Sequence, residues 1–503
     1  MLPNNKGLPL PAFTIRNICR IISALTLAAS AAPALAQSVI PAGDVTSVGV
    51  TDLYVGEYND GTLTISNGGT FGSGTVHIGY AVGSTGVVTV DGAGSTLSGA
   101  LYVGEQGNGT LTISNGGYAA SGIIHIAADS NSDGTLNIGA AAGATPVAPG
   151  TLPANCVVIF GSGSGTIVFN HTNTTEYFFG QPINGYGTID IENGTTVLSG
   201  GNTSFSGTIK VSNKMATGTK LNVYAPWQLG TSVLYLYANT ALGLNSDFTL
   251  TNPIHIGGDP VFDVPTGNTV TSAGGISDTD PLNPGTLDKQ GGGTLVLEGA
   301  NTYTGATTVT EGILQAGEAN TLSPDSEVTV ASGATLDLNG FNQTVLALTN
   351  NGGTINRSGA TLTVSGDYTG GGGTLTISGA LNDSPLVVTG NATTGSTVIV
   401  ITSDTPPVNT NVPVVQTGGT TAGAFTLAGG ALQQTMGNYK YTLFLGDGTG
   451  GTVANTWYIS AVQVTTVATA SVPTLSETAL ALLALLLAGG AAVTGTVRRN
   501  LIR

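Results

Sequence analysis

Charge is scarce in this chain: only 8% of its 503 residues are Asp, Glu, Lys or Arg. The 12 basic residues are fewer than half the 28 acidic ones. They also gather at the ends, with Lys6, Arg16 and Arg20 at the start and Arg498, Arg499 and Arg503 at the finish. Between residues 37 and 471 only Lys210, Lys214, Lys220, Lys289, Arg357 and Lys440 remain, against 27 acids. Phosphate backbones need clustered Lys and Arg, so no nucleic-acid partner is expected. Lyases that act on uronates generally need basic groups or calcium beside the reacting carbon, and scattered cations do not supply them. An acidic, lysine-poor surface favours solubility outside the cell. Cysteine is almost absent as well, at two positions, Cys19 and Cys156.

The first 36 residues read as a secretory signal peptide. Lys6, Arg16 and Arg20 form the basic region, an apolar stretch follows to about residue 32, and Ala34-Leu35-Ala36 is a small-x-small cleavage site. Removal of that segment takes Cys19 with it and leaves Cys156 alone, so the mature chain has no intramolecular disulfide. Cys156 precedes Val157-Val158-Ile159-Phe160 and is expected to be a buried thiol.

Glycine is plentiful, at 77 residues, and it is periodic. Residues 53–69, LYVGEYNDGTLTISNGG, return nearly unchanged at 101–117 as LYVGEQGNGTLTISNGG, an offset of 48 residues. Tyr54, His77, Tyr102 and His125 mark half-periods of 23, 25 and 23 residues. Each unit predicts two short strands, over residues 53–55 and 62–66 in the first copy. Leu63 and Ile65 alternate there with Thr62, Thr64 and Ser66, which puts apolar groups on one face. One such unit cannot bury its own face, whereas stacked copies pairing in parallel can. The prediction for residues 53 to about 138 is an all-β parallel β-helix.

The repeat fades after about residue 145, and a second pattern, GGGTLVLEGANTYTGATTVTEGILQAG, opens at 291. Through Gly293-Thr294-Leu295, Leu297, Gly299, Asn301-Thr302-Tyr303-Thr304-Gly305, Thr308 and Glu311-Gly312 it resembles the autotransporter-associated β-strand repeat of Gram-negative passenger domains. Residues 361–462, with the strand texture of SPLVVTG, STVIVI, KYTLFLG and NTWYISA, resemble the pertactin-like segment that ends such passengers. This second resemblance implies last coils and a cap, with Tyr439, Tyr441, Phe444, Trp457 and Tyr458 as its aromatic bulk. The family also implies a right-handed parallel β-helix that continues from about residue 40 to 460; at about 24 residues per coil it has roughly 17 coils and a rod of about 80 Å. Instead of the large β-barrel of an autotransporter, about 40 residues follow the cap, too few for the smallest barrel.

Residues 472–477 read Val472-Pro473-Thr474-Leu475-Ser476-Glu477, followed by 20 uncharged residues and then Arg498-Arg499. Twenty helical residues span about 30 Å, so a transmembrane helix with its basic end in the cytoplasm is expected. Together these features resemble the I-P-T-L class of C-terminal sorting signals. The resemblance implies an exosortase-like sorting enzyme as partner, membrane attachment through the helix, and an ectodomain in the periplasm or at the cell surface. The domain order expected is signal peptide 1–36, β-helix 37–360, pertactin-like coils and cap 361–462, linker 463–471, and sorting motif, helix and basic tail 472–503.

No residue is assigned a catalytic, cofactor or metal role. The best enzymatic candidate is His255, Asp259 and Asp263 with Asp278 and Asp280 following, which would serve a polysaccharide hydrolase if the carboxylates paired. The plain alternative is an outward His on a strand followed by ordinary turn aspartates. Asp129-Ser130-Asn131-Ser132-Asp133-Gly134 matches half of a calcium loop, but Ala140 stands at the closing position. It also aligns with Asp60-Gly61-Thr62-Leu63 and Asn108-Gly109-Thr110-Leu111, which marks it as a corner of the solenoid. Gly446, Gly448 and Gly451 satisfy G-x-G-x-x-G, yet a strand is predicted next, over residues 456–460, and the dinucleotide reading fails. His77 and His125, two coils apart, stand about 10 Å from each other, too far to share a metal. The functional expectation is a non-enzymatic, adhesin-like or matrix-associated surface rod whose partners are glycans, matrix or cell surfaces. The alternative is a polysaccharide-active enzyme.

Overall fold

The computed structural model describes residues 38–48, 51–214, 218–377, 385–402, 406–464 and 476–497. Its fold is all-β, a right-handed parallel β-solenoid of about 15 turns, with one helix at the C-terminus. The duplicated segment is regular. Asp52–Val55 pairs in parallel with Thr70–Ile78, placing Leu53 beside Val76 and Tyr54 beside His77. Gly61–Ser66 pairs with Thr85–Asp91, and that ladder continues coil by coil to Ile276–Asp278. Because every rung repeats the alternation, Leu63, Val88, Leu111, Leu136 and Ile167 stack into one aliphatic column, none more than 2% exposed. Cys156 is fully buried, and burial pushes its thiol pKa up to about 11.

The corners rest on glycine. Gly61, Gly86, Gly109, Gly134 and Gly165 occupy matched register positions in adjacent coils. A Cβ on Gly109 would lie 2.0 Å from the amide nitrogen of Gly104 and 2.4 Å from the carbonyl oxygen of Ile78. Those two atoms form an inter-coil hydrogen bond of 2.8 Å, so the glycine sits directly over it. Asp133 and Gly134 pair with Asn108 and Gly109. The calcium-like segment is therefore a corner of the solenoid, as its alignment indicated.

Among the described residues, five sheets wrap the axis. Sheet 1 (11 strands) and sheet 2 (8 strands) build the N-terminal coils. Sheet 3 (12 strands) begins at Glu176–Phe179, sheet 4 (8 strands) at Phe248–Leu250, and sheet 5 (7 strands) at Gln343–Val345. Both ends of the stack are closed by antiparallel strands. Ser38–Gly43 pairs antiparallel with Gly61–Ser66, and Val45–Val48 with Asp52–Val55. At the other end Asn411–Thr417, Thr456–Gln463, Tyr439–Leu445 and Gln433–Met436 pair antiparallel in that order. Tyr441, Trp457 and Tyr458 are buried in this cap, and Phe425 meets Trp457 edge-on at 5.6 Å. Capping removes residues from coils, and the step from Thr135 to Thr166 spends 31 residues on one coil. Both effects bring the count to about 15 turns rather than 17. The strand Thr456–Gln463 follows Gly446, Gly448 and Gly451, as expected.

Candidate interaction surfaces

The outer face of sheet 2 carries an aromatic ladder. The parallel register places Tyr54 against His77, His77 against Tyr102, and Tyr102 against His125. Successive ring centroids lie 4.6, 5.5 and 4.7 Å apart with interplanar angles of 9–15°. Rung spacing of about 4.8 Å is close to a stacking distance, so side chains in one register file stack face to face. Tyr80 packs edge-on to Tyr54 and His77, and Glu105 pairs with His77 Nδ1. The ring of Tyr102 stands between His77 and His125. Burial lowers the pKa of His125, with the Glu105 charge opposing. The alternation of tyrosine and histidine was visible in the repeat; its stacking required the register.

The enzymatic candidate does not assemble. His255 lies on sheet 1, stacked on Tyr235 at 4.7 Å and hydrogen-bonded through Nδ1 to Ser277 Oγ at 2.8 Å. Asp263 lies on sheet 3, where it accepts a 2.7 Å hydrogen bond from Lys220 Nζ. Asp259 accepts from the Asn239 amide at 2.9 Å, and Asp280 from the Leu282 amide at 2.9 Å. Asp278 accepts from the amides of Gly285 and Thr304 and from the Thr304 hydroxyl. Asp259, Asp278 and Asp280 thus cap backbone amides in turns, while Asp263 is paired with Lys220 on the sheet 3 strand Val261–Asp263.

Sheet 3 carries a feature that sequence reasoning missed. A cleft of about 690 Å³ opens on its outer face, lined among others by Thr195, Lys220, Asn239, Ala241, Asp259 and Asp288. Beside it Glu176 accepts hydrogen bonds from Asn222 Nδ2 at 2.7 Å and from the Tyr224 hydroxyl at 2.5 Å. The bond to Glu176 pushes the Tyr224 pKa up to about 12. A second depression of about 500 Å³ on sheet 4 is lined by Thr335, Thr354, Asn356, Ser358, Thr376 and Thr402. The residues of the sheet 3 cleft are spread over more than 100 positions, and only the stacking of coils brings them together.

The helix Glu477–Val497 begins where the sorting motif ends. The Ser476 carbonyl accepts from the amides of Ala479 and Leu480, and Ser476 Oγ bonds Thr478 Oγ1 at 2.7 Å. Glu477 places a negative charge at the positive end of the helix. Val472, Pro473, Thr474, Leu475, Arg498 and Arg499 lie outside the described residues, as do Ala34 and Ala36 of the signal segment. The expected transmembrane helix is not supported: among the described residues no helix is long and apolar enough to cross a membrane.

Three family models match the chain. The passenger-associated-transport-repeat covers residues 287–316, the autochaperone domain type 1 covers 337–443, and the IPTL-CTERM motif covers 470–499. The first spans two successive rungs of sheets 3 and 4, and the second runs from the last coils into the antiparallel cap. Among curated relatives, the adhesin BmaC autotransporter of Brucella suis biovar 1 (strain 1330) is 38% identical over 129 residues, 21% of this chain. The probable autotransporter YfaL of Escherichia coli (strain K12) is 31% identical over 217 residues, 38% of this chain. The alignments span only 4% and 16% of the length of those two relatives.

Proposed function

We propose that this solenoid, similar to autotransporter passengers in its repeat and autochaperone segments, is a non-enzymatic, adhesin-like rod displayed at the cell envelope or surface. The observation that carries the reading is the capped stack itself. About 15 turns at about 4.8 Å extend roughly 70 Å and present continuous side-chain files on every outer sheet. The candidate carboxylates are occupied by turn amides or by Lys220, His255 stands on another sheet, and one similar protein is named an adhesin. The tail from Val472 to Glu477 with Arg498-Arg499 acts as the sorting signal, read by an exosortase-like enzyme. The recognised partner is a glycan, a matrix component or another cell surface.

Two measurements test this. Cells expressing the chain are compared with a deletion strain for attachment to matrix and to other cells. Equal attachment by both strains would remove the adhesive role. Fractionation is then compared between the natural chain and a Pro473→Ala, Thr474→Ala variant. Unchanged mass and envelope location in the variant would remove the sorting role.

A further inference from the structure

The outer face of sheet 3 contains a notch with an acceptor aimed into it. Asn222 is 8% exposed. Its Nδ2 must face the Glu176 carboxylate, which can only accept, and this turns Oδ1 the other way. Asn222 Oδ1 is buried without a hydrogen-bond donor among the described residues. The atom points over Gly243, where an added Cβ would come within 2.0 Å of it. Gly243 pairs with Asn222 on one side and Asp263 on the other, so the missing side chain leaves a gap in this file. The stem of Lys220 lies across that gap, its Cε 2.6 Å from the same Cβ position, and its ammonium reaches Asp263. Lys220 is about a quarter exposed and free on its solvent side to swing away.

Around the notch the groups mostly accept hydrogen bonds. Asp259 and Asp288 line the cleft with one cation, Lys220, which is already paired with Asp263, and Glu176 lies beside Asn222. Exposed aromatic surface stands at one end: Tyr224, bonded to Glu176, is 39% and Phe178 57% exposed. From Glu176–Phe179 to Leu287–Gln290 the face crosses six strands, about 24 Å along the axis. A ligand for this face is elongated, rich in O–H or N–H donors, able to stack on aromatic rings, and not anionic. We propose that the sheet 3 cleft binds a neutral or amino-sugar oligosaccharide strand, which displaces the Lys220 stem and donates a hydrogen bond to Asn222 Oδ1. Tyr224 stacks on one sugar, and Asp263 accepts from a neighbouring hydroxyl.

This assignment rests on the surface role proposed above and gives it a ligand class. The test is calorimetric titration of the full chain with chitohexaose, cellohexaose and hexagalacturonate. One of the two uncharged oligosaccharides binds, and hexagalacturonate binds at least about tenfold more weakly. Tyr224→Ala and Asp263→Ala each weaken binding by about tenfold or more. Lys220→Ala, which opens the notch, keeps binding or tightens it. Tyr235→Ala, on sheet 1, leaves it unchanged. Thermal unfolding of each variant separates loss of binding from loss of fold. The proposal is overturned if neither uncharged hexasaccharide binds, if hexagalacturonate binds as well as they do, or if folded Tyr224→Ala and Asp263→Ala variants bind normally. Cells that still attach when those variants bind no sugar would retain the adhesive role and overturn the cleft as its site. Loss of attachment by the deletion strain alone addresses the wider role.

Discussion

Replacing Gly109 by alanine tests the corner architecture directly. Its missing Cβ position lies 2.0 Å from the Gly104 nitrogen, 2.4 Å from the Ile78 oxygen and 2.7 Å from the Val103 carbonyl carbon. All three are backbone atoms, so no rotamer change relieves the clash. Overpacking of this kind costs about 3 kcal/mol, and breaking the 2.8 Å Gly104–Ile78 hydrogen bond adds about 1 kcal/mol. Gly116 supplies the control. Its φ is +81°, but the atom nearest its Cβ position is 3.7 Å away, so only conformational strain opposes a side chain. Gly116→Ala therefore costs about 1–2 kcal/mol. Because coils interact mainly with their neighbours, the effect of Gly109→Ala stays local. Native-state hydrogen exchange should show loss of about 4 kcal/mol of protection in the strands Thr96–Val103 and Asn108–Ser114. Coils beyond residue 285 should be unchanged. Equal losses in the two variants, or a larger one for Gly116→Ala, would refute the idea that the repeat glycine is required by space rather than by φ.

His171 is fully buried, its Nδ1 lacks a partner among the described residues, and burial lowers its pKa to about 4. Between pH 6.5 and 4 the unfolded chain binds a proton that the folded chain refuses, so stability falls with acid by up to about 3 kcal/mol. Guanidinium midpoints measured across that range should flatten in His171→Gln. Lys289 is fully buried and donates to the carbonyls of Gln290, Gly291 and Glu311, while burial lowers its pKa to about 8. The folded chain loses that proton before the unfolded chain does, so stability rises from pH 8 to about 10.4, and Lys289→Met abolishes the rise. At neutral pH the same variant strands three carbonyls and costs about 2–4 kcal/mol by denaturant titration. Asp278→Ala removes three accepted hydrogen bonds and should cost about 2–3 kcal/mol of local protection at residues 285 and 304, read by hydrogen exchange.

The parts of the fold that were legible in sequence are those that repeat. Leu63 and Ile65 recur as Leu111 and Ile113, and period-two alternation left no other use for them than a shared interior. Asp133-Gly134 was recognisable as a corner because Asn108-Gly109 stands one coil earlier. The antiparallel strand Ser38–Gly43 was not legible, since it occurs once and its Pro41 gives no strand signal. Nor was the change of sheets at Glu176–Phe179, where side-chain periodicity stays the same while the pairing partner changes. Lys289 and Arg357 read in the sequence as two of six scattered cations. Both are fully buried, and Lys289 is placed inward by alternation with Leu287.

Composition and period by themselves determined that residues 53 to about 138 form a stacked β-solenoid in a chain with few cations, because a face shared by every unit can be buried only by the next unit. The tertiary structure decided which polar groups meet. Stacking converted Tyr54, His77, Tyr102 and His125 from equivalent positions into one column of rings. It separated His255 from Asp263 onto different sheets and carried Lys220 to Asp263 across 43 residues. Lateral register depends on coil length, and coil length varies with each loop, so no local pattern encodes it.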